Sequence, residues 1–119
     1  MSKERNFVLK PIEVTDDHLD NILSGCFEGG SNYWIDKIAV KKDDYKGAVY
    51  SSHVVSKGGE LYIYADGDQT VYVLDRHMLI SGLQTYLDES KHKNWPDGGD
   101  AYTDDCILQY AQFEEIVYG

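Results

Sequence analysis

Four histidines, two cysteines and a surplus of carboxylates are the side chains here that could do acid–base, nucleophilic or metal chemistry. The histidines are His18, His53, His77 and His92; the cysteines are Cys26 and Cys106. A zinc centre needs three or four converging nitrogen or sulfur ligands. No two histidines stand at helical ligand spacing, and neither cysteine lies near a histidine or the other cysteine in sequence. Asp16-Asp17-His18 reads as a solvated first helical turn whose acids match the positive end of the dipole. Ser51-Ser52-His53 sets hydroxyls beside an imidazole along the chain, but chain neighbours do not face one another in helix or strand. Both cysteines fall on apolar helical patterns, where thiols are inert core atoms of a reducing compartment. The expectation is a protein that is not an enzyme and carries neither metal nor cofactor.

Asp97, Asp100, Asp104 and Asp105 form the densest acidic group. Their spacing lacks the third acidic position and closing Glu of an EF-hand loop. They read as an acidic surface: a turn followed by aspartates suited to a helix start. Glycine-rich phosphate cradles are missing too. Gly29-Gly30 follow a helical pattern and Gly58-Gly59 precede a strand, whereas a phosphate loop follows a strand and opens a helix.

Charge narrows the partners. The 119 residues carry 21 Asp+Glu against 11 Lys+Arg, a formal net charge of −10. Such a field repels a phosphate backbone and an anionic membrane surface, so no direct nucleic-acid or membrane binding is expected. A basic protein surface is the matching partner; plain solubility is the bland alternative. No apolar run approaches the ~18 residues that cross a bilayer, and no secretory signal is expected at the N-terminus.

The elements that must position these groups are legible as patterns. Residues 1–10 read as an N-terminal arm, with an edge strand at Phe7-Val8-Leu9. Thr15 caps a helix whose apolar stripe is Leu19, Ile22, Leu23, Cys26 and Phe27, ended by Gly29-Gly30. A strand follows over 31–41, with a bulge near Asp36-Lys37. Residues 41–47 form a charged turn, and 48–57 are a short helix or strand. Two alternating runs, 60–64 and 70–74, flank Asp66-Gly67-Asp68-Gln69 as a β-hairpin. Asp75 caps a second helix buried through Leu79, Ile80, Leu83, Tyr86 and Leu87. Thr103 caps a third, after a loop around Trp95-Pro96. Ile116-Val117-Tyr118 should dock, as a last short strand. The order predicts one α+β domain over 1–119: an antiparallel sheet of three to five strands with about three helices packed on it.

The most specific stretch is Glu28-Gly29-Gly30-Ser31-Asn32-Tyr33-Trp34. Paired glycines allow close approach of backbone or ligand, and Tyr and Trp supply flat faces with polar tips. Tyr62 and Tyr64 should share one face of the hairpin. Together with the closing Leu108-Gln109-Tyr110-Ala111-Gln112-Phe113-Glu114-Glu115-Ile116-Val117-Tyr118-Gly119, this stretch resembles a group of small bacteriophage and prophage proteins. Members read EGG-x-NYW early and QYA-x-F-x-E-I-V-Y-G last, with a glycine where this chain has Glu114. The resemblance implies a phage origin and the cytoplasm of a host bacterium; it implies no reaction.

The leading expectation is a phage accessory protein acting by contact, an anti-defence inhibitor that offers acidic side chains to the basic surface of a host immune protein. Its contact residues would be Glu28, Gly29, Gly30, Asn32, Tyr33, Trp34, Tyr62, Tyr64 and Tyr118, beside the acidic surface. A second reading is a sponge for a nucleotide signal, with Glu28, Asn32, Tyr33 and Trp34 lining a pocket near Tyr118. A third is a structural or regulatory homo-oligomer.

Overall fold

The computed structural model describes residues 13–41 and 45–119. The expected arm at 1–10, its edge strand, and positions 42–44 of the charged turn lie outside those residues.

Helix α1 spans Asp16–Gly25. Thr15 caps it: its hydroxyl accepts the His18 N–H at 3.2 Å, and His18 Nδ1 accepts the Thr15 N–H at 3.1 Å. An imidazole thus takes the place of the glutamate usual in this reciprocal cap. Leu19, Ile22 and Leu23 form the buried stripe, and the helix widens into a π-turn over Cys26–Gly30. Gly30 is required there, because a Cβ on it would sit 2.5 Å from the Ala101 carbonyl oxygen.

Strand β1 (Ile35–Ala39) pairs antiparallel with β2 (Leu61–Ala65), and β2 with β3 (Thr70–Leu74), in the order β1-β2-β3. The register slips between Ile35 and Lys37, so the expected bulge is present. It frees Asp36 to cap the hairpin turn, whose Gly67 and Asp68 N–H groups donate to Asp36 Oδ2 at 2.7 and 3.1 Å. Gly67 and Asp68 both have φ 68°, as the central residues of a primed hairpin turn require. Between β1 and β2 the ambiguous stretch forms two 3₁₀ turns, Ser51–His53 and Val55–Lys57.

One face of the sheet is core: Ile35, Leu61, Ile63, Ala65 and Leu74 are buried. The other carries Tyr62 opposite Val73 and Tyr64 opposite Val71. The helices lie on the core side. Asp75 caps α2 (Arg76–Ser90), and α3 (Ala101–Phe113) packs against α1, α2 and β3. A Cβ on Gly82 would stand 2.5 Å from the Ala111 backbone nitrogen, so α2 and α3 cross with main chains nearly touching.

Two expectations are corrected. The cap of α3 is Asp100, not Thr103: Asp100 Oδ1 accepts both the Thr103 N–H at 3.0 Å and its hydroxyl at 3.2 Å. The acid wins because it satisfies two donors from one atom, and Thr103 becomes a buried first-turn residue. Residues 114–119 dock but form no strand. They are held by side chains, as described below.

The chain enters that tail through Glu114, which caps α3 with φ 63°, a left-handed conformation. A side chain costs roughly 1–2 kcal/mol in that region, and a carboxylate beside a helix C-terminus faces the negative end of the dipole. Glu114→Gly is therefore expected to stabilise the fold by about 1 kcal/mol, read as a raised midpoint in urea unfolding. An unchanged or lowered midpoint would contradict this account of the cap.

Candidate functional site

The stretch 28–34 and the closing residues 108–119 meet inside the molecule. The π-turn delivers Ser31, Tyr33 and Trp34 to the flank of α3, where Asp105 is 2% exposed. Ser31 Oγ and Trp34 Nε1 donate to Asp105 Oδ1 at 2.7 and 2.8 Å. The Tyr33 hydroxyl and Gln109 Nε2 donate to Oδ2 at 2.5 and 3.0 Å. A carboxylate only accepts, and four donors match its capacity. Burial, then the hydrogen bond to Asp105, pushes the Tyr33 hydroxyl up to about 12, so it remains the donor.

Gln109 carries the network on to the tail. Its Oε1 accepts the Val117 and Tyr118 N–H groups, each at 2.8 Å, and its Nε2 donates to the Tyr118 carbonyl at 3.0 Å. The Trp34 and Tyr118 rings stack with centroids 4.9 Å apart and planes 5° from parallel. Phe113 packs against both rings and against Tyr72.

This geometry relocates several expected contact residues. Asp105 is no part of an acidic surface; its carboxyl turns inward because four donors await it there. Trp34 is 5% exposed, with its N–H engaged by Asp105. Tyr33 is 57% exposed at the ring, yet its hydroxyl is committed. Gly30 serves the crossing with α3. Glu28, Gly29 and Asn32 are exposed, as are Asp97 and Asp100. Tyr62 and Tyr64 do share a face, with Lys41 5.8 Å and Lys37 4.6 Å from their respective ring centroids. Those two rings and Trp34 make no common aromatic surface.

The nucleophile candidates are also engaged. Cys26 and Cys106 are buried free thiols, and burial pushes both upward, away from thiolate chemistry. Ser52 Oγ accepts from the Ser24 hydroxyl at 3.3 Å, while His53 lies 4.0 Å from Asp20 and packs on Tyr50. Among the described residues no three His, Cys, Asp or Glu side chains gather to hold a metal ion.

A cleft of about 210 Å³ lies at the other side of α3, lined by His18, Asn21, Ile22, Trp95, Pro96, Gly99 and Asp104. Its wall is a pinned loop. His92 Nε2 donates to the Asp97 carbonyl at 2.6 Å, which leaves Nδ1 to accept the Tyr86 hydroxyl at 2.8 Å. Trp95 is buried, edge-on to the His18 ring at 5.2 Å. The Asp104 side chain lies over the Cα of Gly25, and burial together with nearby Asp100 pushes its carboxyl up to about 7. Nothing in the spacing of the four aspartates marks Asp104 as the one facing a cleft; the loop wall comes from residues far along the chain.

Comparison of the chain with models of protein families, with curated proteins and with solved structures gives no match.

Two measurements test the site. Asp105→Asn replaces one acceptor by an NH₂ group that must face donors. A loss of about 3 kcal/mol is expected, with faster proteolysis beyond Glu114 as the tail lets go; an unchanged unfolding midpoint would refute the role. Asp104 tests the cleft. Because folding raises its pKa, the folded chain holds this proton more tightly than the unfolded chain does. That contribution is fully present below the ordinary value of 3.8 and is lost as pH rises through about 7. Asp104→Asn should therefore lose less stability than the parent across that window, as followed by thermal unfolding.

Proposed function

We propose that this protein acts by binding, as a phage-encoded inhibitor that presents carboxylates to the basic surface of a host defence protein in the bacterial cytoplasm. The observation that supports this best is the distribution of its acids. Of the densest sequence cluster Asp105 is buried and Asp104 half-buried, while Asp97 and Asp100 are exposed, as are Glu28, Asp36, Asp66, Glu114 and Glu115. Among the described residues Arg76 pairs with Asp16 at 3.2 Å and Lys37 with Asp68 at 3.9 Å, and such pairs leave the excess of ten acidic charges untouched. An exterior of that kind steers a basic partner into encounter and penalises acidic ones. The resemblance to phage proteins supplies the setting.

A nucleotide sponge at the Tyr33-Trp34 segment is disfavoured, since the polar tips meant to grip a ligand already grip Asp105. Self-association has one specific support: Val71 and Val73, 47% and 39% exposed, lie beside Tyr62 and Tyr64 on the open sheet face.

Capture from infected host lysate, at low and at high salt, tests the reading. A basic host protein should be retained at low salt, eluted at high salt, and lost when Asp97, Asp100, Glu114 and Glu115 are changed to their amides. Retention indifferent to salt, or copurification of a nucleotide instead, would overturn it. A dimer in sedimentation that disperses on Val71→Lys would favour self-association.

A further inference from the structure

We propose that the cleft beside Asp104 seats one basic side chain, lysine or arginine, of a protein partner, with the cationic head against the Asp104 carboxyl. The proposal rests on the binding role above and names the place where that contact is most specific.

Size comes first. Pockets for drug-sized or cofactor ligands hold about 300–1,000 Å³, whereas this cleft holds about 210 Å³. It is too small for a nucleotide and suits a single long side chain. Ile22, Trp95 and Pro96 offer apolar wall to an alkyl stem, and lysine and arginine bury their stems in this way.

Chemistry comes second. The Asp104 carboxyl is half-buried in the lining and, among the described residues, has no hydrogen-bond or ion-pair partner of its own. A carboxylate removed from water without a counter-ion is costly, so such groups are normally paired. Among the described residues no lysine or arginine lines the cleft to pair it. His18 also lines the cleft, but its Nδ1 is taken by the Thr15 N–H, and no hydrogen bond or ion pair joins its ring to Asp104. The other titratable neighbours worsen the case. Asp100 at the α3 cap adds negative charge, and the buried Cys26 thiol of the π-turn donates to the Asp104 backbone carbonyl, not to its side chain. The upward push on Asp104 is the expected signature of this vacancy in charge, and a cation placed there would reverse it.

Chemical-shift titration of the full chain tests this with methylguanidinium and butylammonium chlorides, against sodium chloride at matched ionic strength and against butanol and methylurea as uncharged analogues. Saturable shifts are expected at the Trp95 indole N–H and the Asn21 amide with the two cations only. Asp104→Asn should weaken them by about tenfold or more, and Asp88→Asn, exposed on α2 and outside the lining, should leave them. Linear shifts equal to those of sodium chloride would overturn the proposal. So would equal binding of the uncharged analogues, or full binding by Asp104→Asn. Lysate capture that fails while the cations still saturate the cleft would sink the inhibitor reading and leave the cleft's chemistry standing. Salt-dependent capture without saturation would do the reverse.

Discussion

A single buried carboxyl organises this molecule. Desolvating a charge costs several kcal/mol, and the cost is offset only when every lone pair is met with good geometry. Asp105 achieves this by drawing Ser31, Tyr33 and Trp34 across separations of 74, 72 and 71 residues, together with Gln109 one turn along its own helix. A network of this kind tolerates one arrangement of its parts, because a half-satisfied version is worse than none. The rest of the architecture serves that arrangement. Gly30 lets the π-turn approach α3, Gly82 lets α2 press against it, and Gln109 extends the network to the tail.

The densest sequence pattern is therefore architectural. Residues with recognition chemistry at their tips, Tyr33 and Trp34, point those tips inward, to groups that hold the fold together. What remains for partners is the exterior: dispersed carboxylates, an open sheet face, and a cleft on the far side of α3. These surfaces owe little to the motif and would be free to vary while the scaffold stayed the same.

The α+β class, the three helices, the hairpin and the Asp36 bulge were legible because each rests on local period, capping or turn chemistry. Leu19, Ile22 and Leu23 sit where their spacing puts them, and Asp66-Gly67-Asp68 turns where its residue types demand. The shift of the α3 cap from Thr103 to Asp100 shows the limit of that reading, since both are good caps and only hydrogen-bond geometry ranks them. Asp105 was harder. Beside Asp104 in a run of acids it looks like surface, and its burial follows from donors more than 70 positions away that no local pattern reveals. The tail docks as its apolar residues imply but forms no strand, because Gln109 supplies from a side chain what a neighbouring strand would supply from backbone.

The placement of the two indoles has a practical side. Trp34 lies flat on Tyr118 within the tail anchor, while Trp95 stands edge-on to His18 in the loop beside the cleft. Each region thus carries its own intrinsic fluorophore. With one indole replaced by phenylalanine, the emission of the other would report separately on anchor release or on cleft occupancy, without any added dye.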